Sequence, residues 1–268
     1  MRLRHACLTA LAVAAIAACS SGASSHDRPS SAATDLTIYA AASLDEVLEE
    51  LRTAYESAVP GTSLTISTDS SAALETQIEQ GAPADVFLSA DTTNPQKLVD
   101  AGLAAGPPVT FGGNRLAVIV PVDNPAGIRS PADLARSGVK VIAAGTEVPI
   151  TRYASQLVDN LAHEAGYPAG FAAAYAANVA SREDNVKAVV AKIELGEGDA
   201  AIVYATDAEA SAKVVAIEVP DAANVPARYE GVVVKSSEDP SAAKAFLDWL
   251  AGPDGQAILT RAGFLPAS

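Results

Sequence analysis

Apolar runs rich in β-branched residues alternate along this chain with stretches whose apolar positions recur every third or fourth residue. That alternation predicts strands followed by helices, and so an α/β protein with mainly parallel sheets. Leu36-Thr37-Ile38-Tyr39-Ala40-Ala41-Ala42 reads as a buried strand that meets a helix opening at Ser43 and running through Leu44 to Ser57, stopped by Val59-Pro60-Gly61. The pattern repeats at once. Leu64 to Thr68 is a strand, Asp69-Ser70-Ser71 stands at the head of a helix from Ala72 to Gln80, and Gly81 and Pro83 end it. Asp85 to Ser89 is a further buried strand, with a helix from Pro95 to Ala101 beyond it.

The second half continues in the same manner. Strands are predicted over 115–120, 140–143, 200–204, 214–219 and 231–235, and helices over 151–164, 184–195, 240–250 and 254–261. Ser130-Pro131-Ala132-Asp133-Leu134 has the form of a short capped helix with proline at its first position. Ala169 to Ala177 fits helix or loop equally, and Gly112-Gly113 reads as a turn.

The first 34 residues break this pattern. Arg2, Arg4 and His5 precede a short apolar run from Leu8 to Ala18, too short to span a membrane and shaped like the core of a signal peptide. The run ends Ile16-Ala17-Ala18-Cys19-Ser20, similar to a bacterial lipobox, so residues 1–18 are expected to be removed and Cys19 to carry a lipid. Residues 19–34, rich in Ser and Ala, then form a tether with an r.m.s. reach of about 20 Å. The expected location is the outer face of the cytoplasmic membrane. With Cys7 lost in the leader and Cys19 lipidated, no disulfide or thiolate metal site is left.

Charge narrows the partners. The net charge of −14 becomes −16 once Arg2 and Arg4 leave, which argues against nucleic acid or anionic lipid as a ligand. It also repels a small dianion at long range, although physiological salt screens charges beyond about 8 Å and leaves local dipoles in a dry cleft to decide. Enzyme chemistry finds little support. Of three histidines, His5 is in the leader, His26 in the tether and His163 in a predicted helix. Nucleophile-elbow, Walker A and dinucleotide glycine motifs are missing, as are zinc and calcium ligand patterns. The chain is read as a non-enzyme without a cofactor.

What remains is two strands that run into serine-led helices. A helix start leaves backbone N–H groups unpaired and carries a partial positive charge, and a serine hydroxyl adds a donor, so two such starts facing one crevice can grip an oxyanion without Lys or Arg. Each serine has a plainer reading. Ser43-Leu44-Asp45-Glu46 matches the S-x-x-E capping box, and Ser70 or Ser71 fits an ordinary N-cap. Tyr204 ends an apolar strand, where open α/β sheets bind ligands, and reads either as core packing or as a hydroxyl donor.

Several segments carry a family resemblance: Ala40-Ala41-Ala42-Ser43-Leu44, Ser71 with Leu74, Gln77-Ile78-Glu79-Gln80-Gly81-Ala82-Pro83-Ala84-Asp85, Val148-Pro149, Ile202-Val203-Tyr204 with Asp207-Ala208, and Gly252-Pro253. Together they resemble the molybdate-binding receptors of ABC importers, from about Leu36 to Leu265. The resemblance implies a two-lobed type II periplasmic-binding-protein fold, each lobe a mainly parallel sheet flanked by helices, joined by two crossover strands. Residues 35–114 plus 229–268 would form lobe 1 and residues 115–228 lobe 2. It implies a monomer that hands molybdate or tungstate to a membrane permease, with molybdenum held as the oxyanion and not as a bare cation. The implied ligand donors are the hydroxyls of Ser43, Ser71 and Tyr204 and the backbone N–H groups of Ile150 and Val186. The chain departs from the family at Ile150-Thr151-Arg152, where Ala-Gly is common after Val-Pro, and Asn160 to Ser181 is longer than usual. Tungstate, sulfate, or a ligand-free adhesive lipoprotein are the alternatives.

Overall fold

The structure, a computed structural model, describes residues 34–267. The leader, Cys19 and the tether as far as residue 33 lie outside the described residues, and Thr34, placed in the tether by the sequence reading, is the first residue of β1. Two five-stranded sheets form the body.

The first sheet takes β1 (Thr34–Ala41), β2 (Thr62–Asp69), β3 (Val86–Ser89), β4 (Val109–Asn114) and, from late in the chain, the strand Ala227–Val233. Helices α1 (Asp45–Ala58), α2 (Ser71–Glu79) and α3 (Thr93–Asp100) connect its early strands. The second sheet is built from β5 (Leu116–Pro121), β6 (Val141–Ala144), β7 (Val179–Glu183), β8 (Ala200–Tyr204) and β9 (Val214–Ile217). Its helices are α4 (Pro149–Leu161), α5 (Phe171–Asn178), α6 (Val186–Glu194) and α7 (Ala205–Glu209). The chain then returns to the first sheet as β10 (Ala227–Val233) and closes with α8 (Pro240–Ala251) and α9 (Pro253–Arg261).

The strand orders are β2-β1-β3-β10-β4 and β7-β6-β8-β5-β9. Both sheets are mixed rather than purely parallel: β10 runs against β3 and β4, and β5 against β8 and β9. The central strands β3 and β8 are buried at every position, as continuous apolar runs covered on both faces should be.

One sequence expectation is corrected here and one open segment is decided. Gly112 and Gly113 are not a turn but lie in β4, paired with Tyr229 and Arg228. Gly113 fits tightly there, since a Cβ would stand 3.0 Å from the Ala227 carbonyl oxygen. The segment from Ala169 to Ala177, open to either reading, is helical as α5, and the unpredicted β7 follows it.

The crossings between the sheets are short. Arg115 alone separates β4 from β5, and residues 218–226 link β9 to β10. Asn224 in the second link accepts the Leu116 N–H at 3.0 Å and donates to the Leu116 carbonyl at 2.9 Å, so the two crossings brace each other. Among the described residues no helix is long and apolar enough to cross a membrane.

Candidate functional site

Ligand crevices in α/β sheets form beyond the carboxyl ends of the strands, and here the ends from both sheets face one another. β1 leads into a 3-10 turn, Ala42–Leu44, that carries Ser43; β2 ends at Asp69, just before Ser70 and Ser71. From the other sheet, β6 leads to Val148-Pro149-Ile150, β7 to Asn185-Val186, and β8 to Tyr204. A narrow, partly open cavity lies between them, lined by Ser43, Ser71, Ile150, Val186 and Tyr204 together with Ser70, Ala90 and other small or apolar residues. All five side chains or amides named from the sequence therefore meet in one place. Among the described residues no carboxylate, lysine or arginine lines it.

The capping explanation divides the serines. The N-cap of α1 is Leu44, without a side-chain cap, so the S-x-x-E box at Ser43 does not form. Ser43 is buried, and its Oγ lies 2.8 Å from the Tyr229 hydroxyl, while Glu46 reaches Lys187 instead. Ser70 is the cap of α2, its Oγ accepting the Ala73 N–H at 3.2 Å. Ser71 is the first residue of that helix, and its Oγ accepts the Ala90 N–H at 3.0 Å, leaving its own proton for the cavity.

The second sheet adds backbone donors. Ile150 is the second residue of α4 and Val186 the first of α6, positions whose N–H groups have no acceptor within the helix. The larger side chain at Ile150 turns into the core and is 2 % exposed, so it does not obstruct the amide. Tyr204 is 1 % exposed, and its hydroxyl is buried without a hydrogen-bond partner among the described residues. Burial drives its pKa well above the ordinary tyrosine value, with neighbouring Tyr229 and Tyr153 adding to the effect, so it stays a neutral donor.

Polar bridges between the lobes ring this cavity. Arg152 lies 3.4 Å from Asp91 and also bonds the Thr93 hydroxyl. Asn185 donates to Asp69 at 3.2 Å, and Lys187 pairs with Glu46 at 2.6 Å. In each case the donor comes from the second lobe and the carboxylate from the first. Arg152, the departure noted in the sequence, thus holds the α4 start against β3 rather than entering the cavity. Asp91 is itself fixed by Ser89 at 2.9 Å and by Asn94.

A larger cavity of about 720 Å³ lies behind Ser43, lined by Glu46, Glu50, Asp207 and Glu209 with a single cation, Arg261. Four carboxylates oppose an anion, so its size does not make it the oxyanion site. Among the described residues no group of three His, Cys, Asp or Glu is placed to hold a metal ion.

Asp207 belongs to a segment that carries the family resemblance, but the sequence reading gave it no role. Its Oδ2 accepts the Tyr204 N–H at 3.2 Å and so shapes the turn that carries the tyrosine. Burial pushes its carboxyl up to about 7, opposed by Lys187 and the Tyr204 amide and reinforced by Glu46. The folded state therefore holds this proton more tightly than the unfolded chain, where aspartate titrates near 3.9. Its contribution to stability is complete below about pH 4 and is lost as pH rises towards about 7. Asp207→Asn is expected to remove that decline, so that its urea midpoint gains on the parent's as pH rises across this window. Parallel profiles would place the titration elsewhere.

Comparison with known proteins agrees with this architecture. Residues 36–265 match the family described as bacterial extracellular solute-binding protein. The chain is 33 % identical over 260 residues to the molybdate-binding protein ModA of Mycobacterium tuberculosis, covering 96 % of this chain and 95 % of that one. It is 32 % identical over 238 residues to ModA of Escherichia coli, covering 85 % and 88 %. Its fold superposes on the Azotobacter vinelandii periplasmic molybdate-binding protein with a TM-score of 0.73, at 24 % identity, over 87 % of this chain and 100 % of that one. With the match running through both sheets and both crossings, the chain belongs to the bacterial extracellular solute-binding protein family.

Proposed function

We propose that this protein is an extracytoplasmic receptor that binds molybdate between its two lobes and delivers it to the permease of an ABC importer. The observation that carries this reading is a crevice lined by hydroxyls and helix-start amides, headed by a buried tyrosine hydroxyl with no partner among the described residues. Molybdate at neutral pH is a dianion with four acceptor oxygens and no proton, which is the complement of such a surface. Charge-assisted hydrogen bonds contribute about 1.5–3 kcal/mol each. Five of them, from Ser43, Ser71, Ile150, Val186 and Tyr204, are ample even after the cost of immobilising the ion. The resemblance to ModA proteins supports the same choice of anion.

Thermal melts with molybdate, tungstate, sulfate and phosphate test the reading. A specific ligand at 1,000 times its Kd adds about 4 kcal/mol of stability. Molybdate and tungstate, close in size, are expected to stabilise the protein, and phosphate, which carries a proton, is expected not to. No shift with any of the four would remove the receptor assignment. The chain acts as a solute binder, not as an enzyme. We further assign residues 1–18 to a cleaved leader and Cys19 to a lipid anchor, which holds a monomer at the outer face of the cytoplasmic membrane. Cys19→Ala is expected to leave the protein soluble or unprocessed in fractionated cells; unchanged membrane attachment would refute the anchor.

A further inference from the structure

Of the three serines that line the cavity, Ser43 and Ser71 each have a possible donor built in behind them. For Ser71 it is the Ala90 N–H, whose direction is unambiguous. For Ser43 it is a second hydroxyl, that of Tyr229, and either oxygen has a proton to give. Asn114 resolves the direction. Its Oδ1 accepts the Arg115 N–H at 2.9 Å, which turns its Nδ2 donor to the Thr206 hydroxyl at 2.9 Å, and the same amide lies against the Tyr229 hydroxyl. Tyr229 is wholly buried, and among the described residues its hydroxyl has Ser43 Oγ within hydrogen-bond distance, whereas Ser43 also lines the cavity and has a second direction for its own proton. A buried hydroxyl proton is directed to an available acceptor. Tyr229 therefore donates, Ser43 accepts, and the Ser43 proton is left to point into the cavity.

We propose that Tyr229 is a positioning residue that turns the Ser43 hydroxyl into a dedicated donor and thereby makes the site selective for fully deprotonated oxyanions. The proposal rests on the oxyanion reading above and extends it to a residue that does not line the cavity. A protonated anion such as hydrogen phosphate would set its own O–H against that of Ser43. Were the pair reversed, Ser43 would present lone pairs to a dianion. The placement also ties the ligand's serine to both crossings, because Asn114 ends β4 at the first and Tyr229 lies in β10 just after the second.

The test is a double-mutant cycle on the purified protein, with molybdate affinity read by calorimetry and phosphate affinity by competition. Tyr229→Phe keeps the ring packed on Phe111, Tyr204 and Phe264. It is expected to weaken molybdate binding about tenfold, as loss of an oriented hydrogen bond does. In a Ser43→Ala background the same substitution is expected to change affinity less than about twofold, because the two residues act as one unit. Phosphate binding is expected not to fall, so the molybdate-to-phosphate ratio narrows. Replacement of Tyr229 by 3-fluorotyrosine, which keeps a donating hydroxyl, is expected to bind as the parent does. Equal loss with and without Ser43, equal loss for both anions, or no loss at all would each overturn the role of Tyr229. A parent protein that takes up no molybdate would instead overturn the receptor reading itself.

Discussion

Tyr204→Phe is expected to weaken molybdate binding roughly 10- to 150-fold, the loss of one hydrogen bond to a charged ligand, while the ligand-free protein melts no lower than the parent. The two effects have opposite signs for one reason. The Tyr204 hydroxyl is buried and has no partner among the described residues, so it burdens the free state and is useful only once an acceptor arrives. Removing an unsatisfied buried group relieves a desolvation cost of about 1–3 kcal/mol. The ring stays in place against Tyr153 and Tyr229, with centroids 6.4 and 5.7 Å away. Calorimetry and a thermal melt on the same preparation decide the matter. Parent-like affinity would reduce Tyr204 to a packing residue.

Ser71→Ala is expected to lose both binding and stability. Affinity should fall by a similar factor, roughly 10- to 150-fold, if the hydroxyl donates to a buried dianion. Stability should fall too, because the Ala90 N–H loses the acceptor that Ser71 supplies and a buried unpaired amide costs about 1–3 kcal/mol. Ser70→Ala is the control. It removes the cap of α2, at a cost of about 1 kcal/mol, and is expected to leave molybdate affinity near that of the parent. If the neighbours exchange these behaviours, Ser70 is the donor and Ser71 the structural residue. Denaturant midpoints and titrations on the two variants separate the cases.

The strand–helix units were legible because their signals are local. Apolar runs closed by Gly and Pro predicted β1 with α1 and β2 with α2 to within a few residues, and a serine at each junction marked the places where the cavity lies. Two strands escaped that reading for physical reasons. β4 holds two glycines and is a strand because β10 and the Leu265 backbone pair with it. β7 is at most half-buried at any position and lies at a sheet edge, so burial left no strong period in its sequence. The sign of the charge problem was also out of reach. Net acidity counted against an anion ligand, but folding spends Asp69, Asp91 and Glu46 on partners from the opposite lobe, around the cavity and not within it.

By itself the sequence determined the alternating architecture, the family it resembles, and the five residues that meet in the cavity. It did not determine what those residues do. Ser43 carries a local pattern that predicts a cap, yet the 3-10 turn after β1 moves the helix start to Leu44 and leaves the serine facing Tyr229, 186 residues away. Ser70 and Ser71 are indistinguishable as neighbours in a sequence, and only the Ala90 amide, brought up by β3, separates them. A hydroxyl is donor and acceptor alike until its surroundings fill one role. Those surroundings come from distant strands, so the role left to each hydroxyl is decided by the tertiary structure alone.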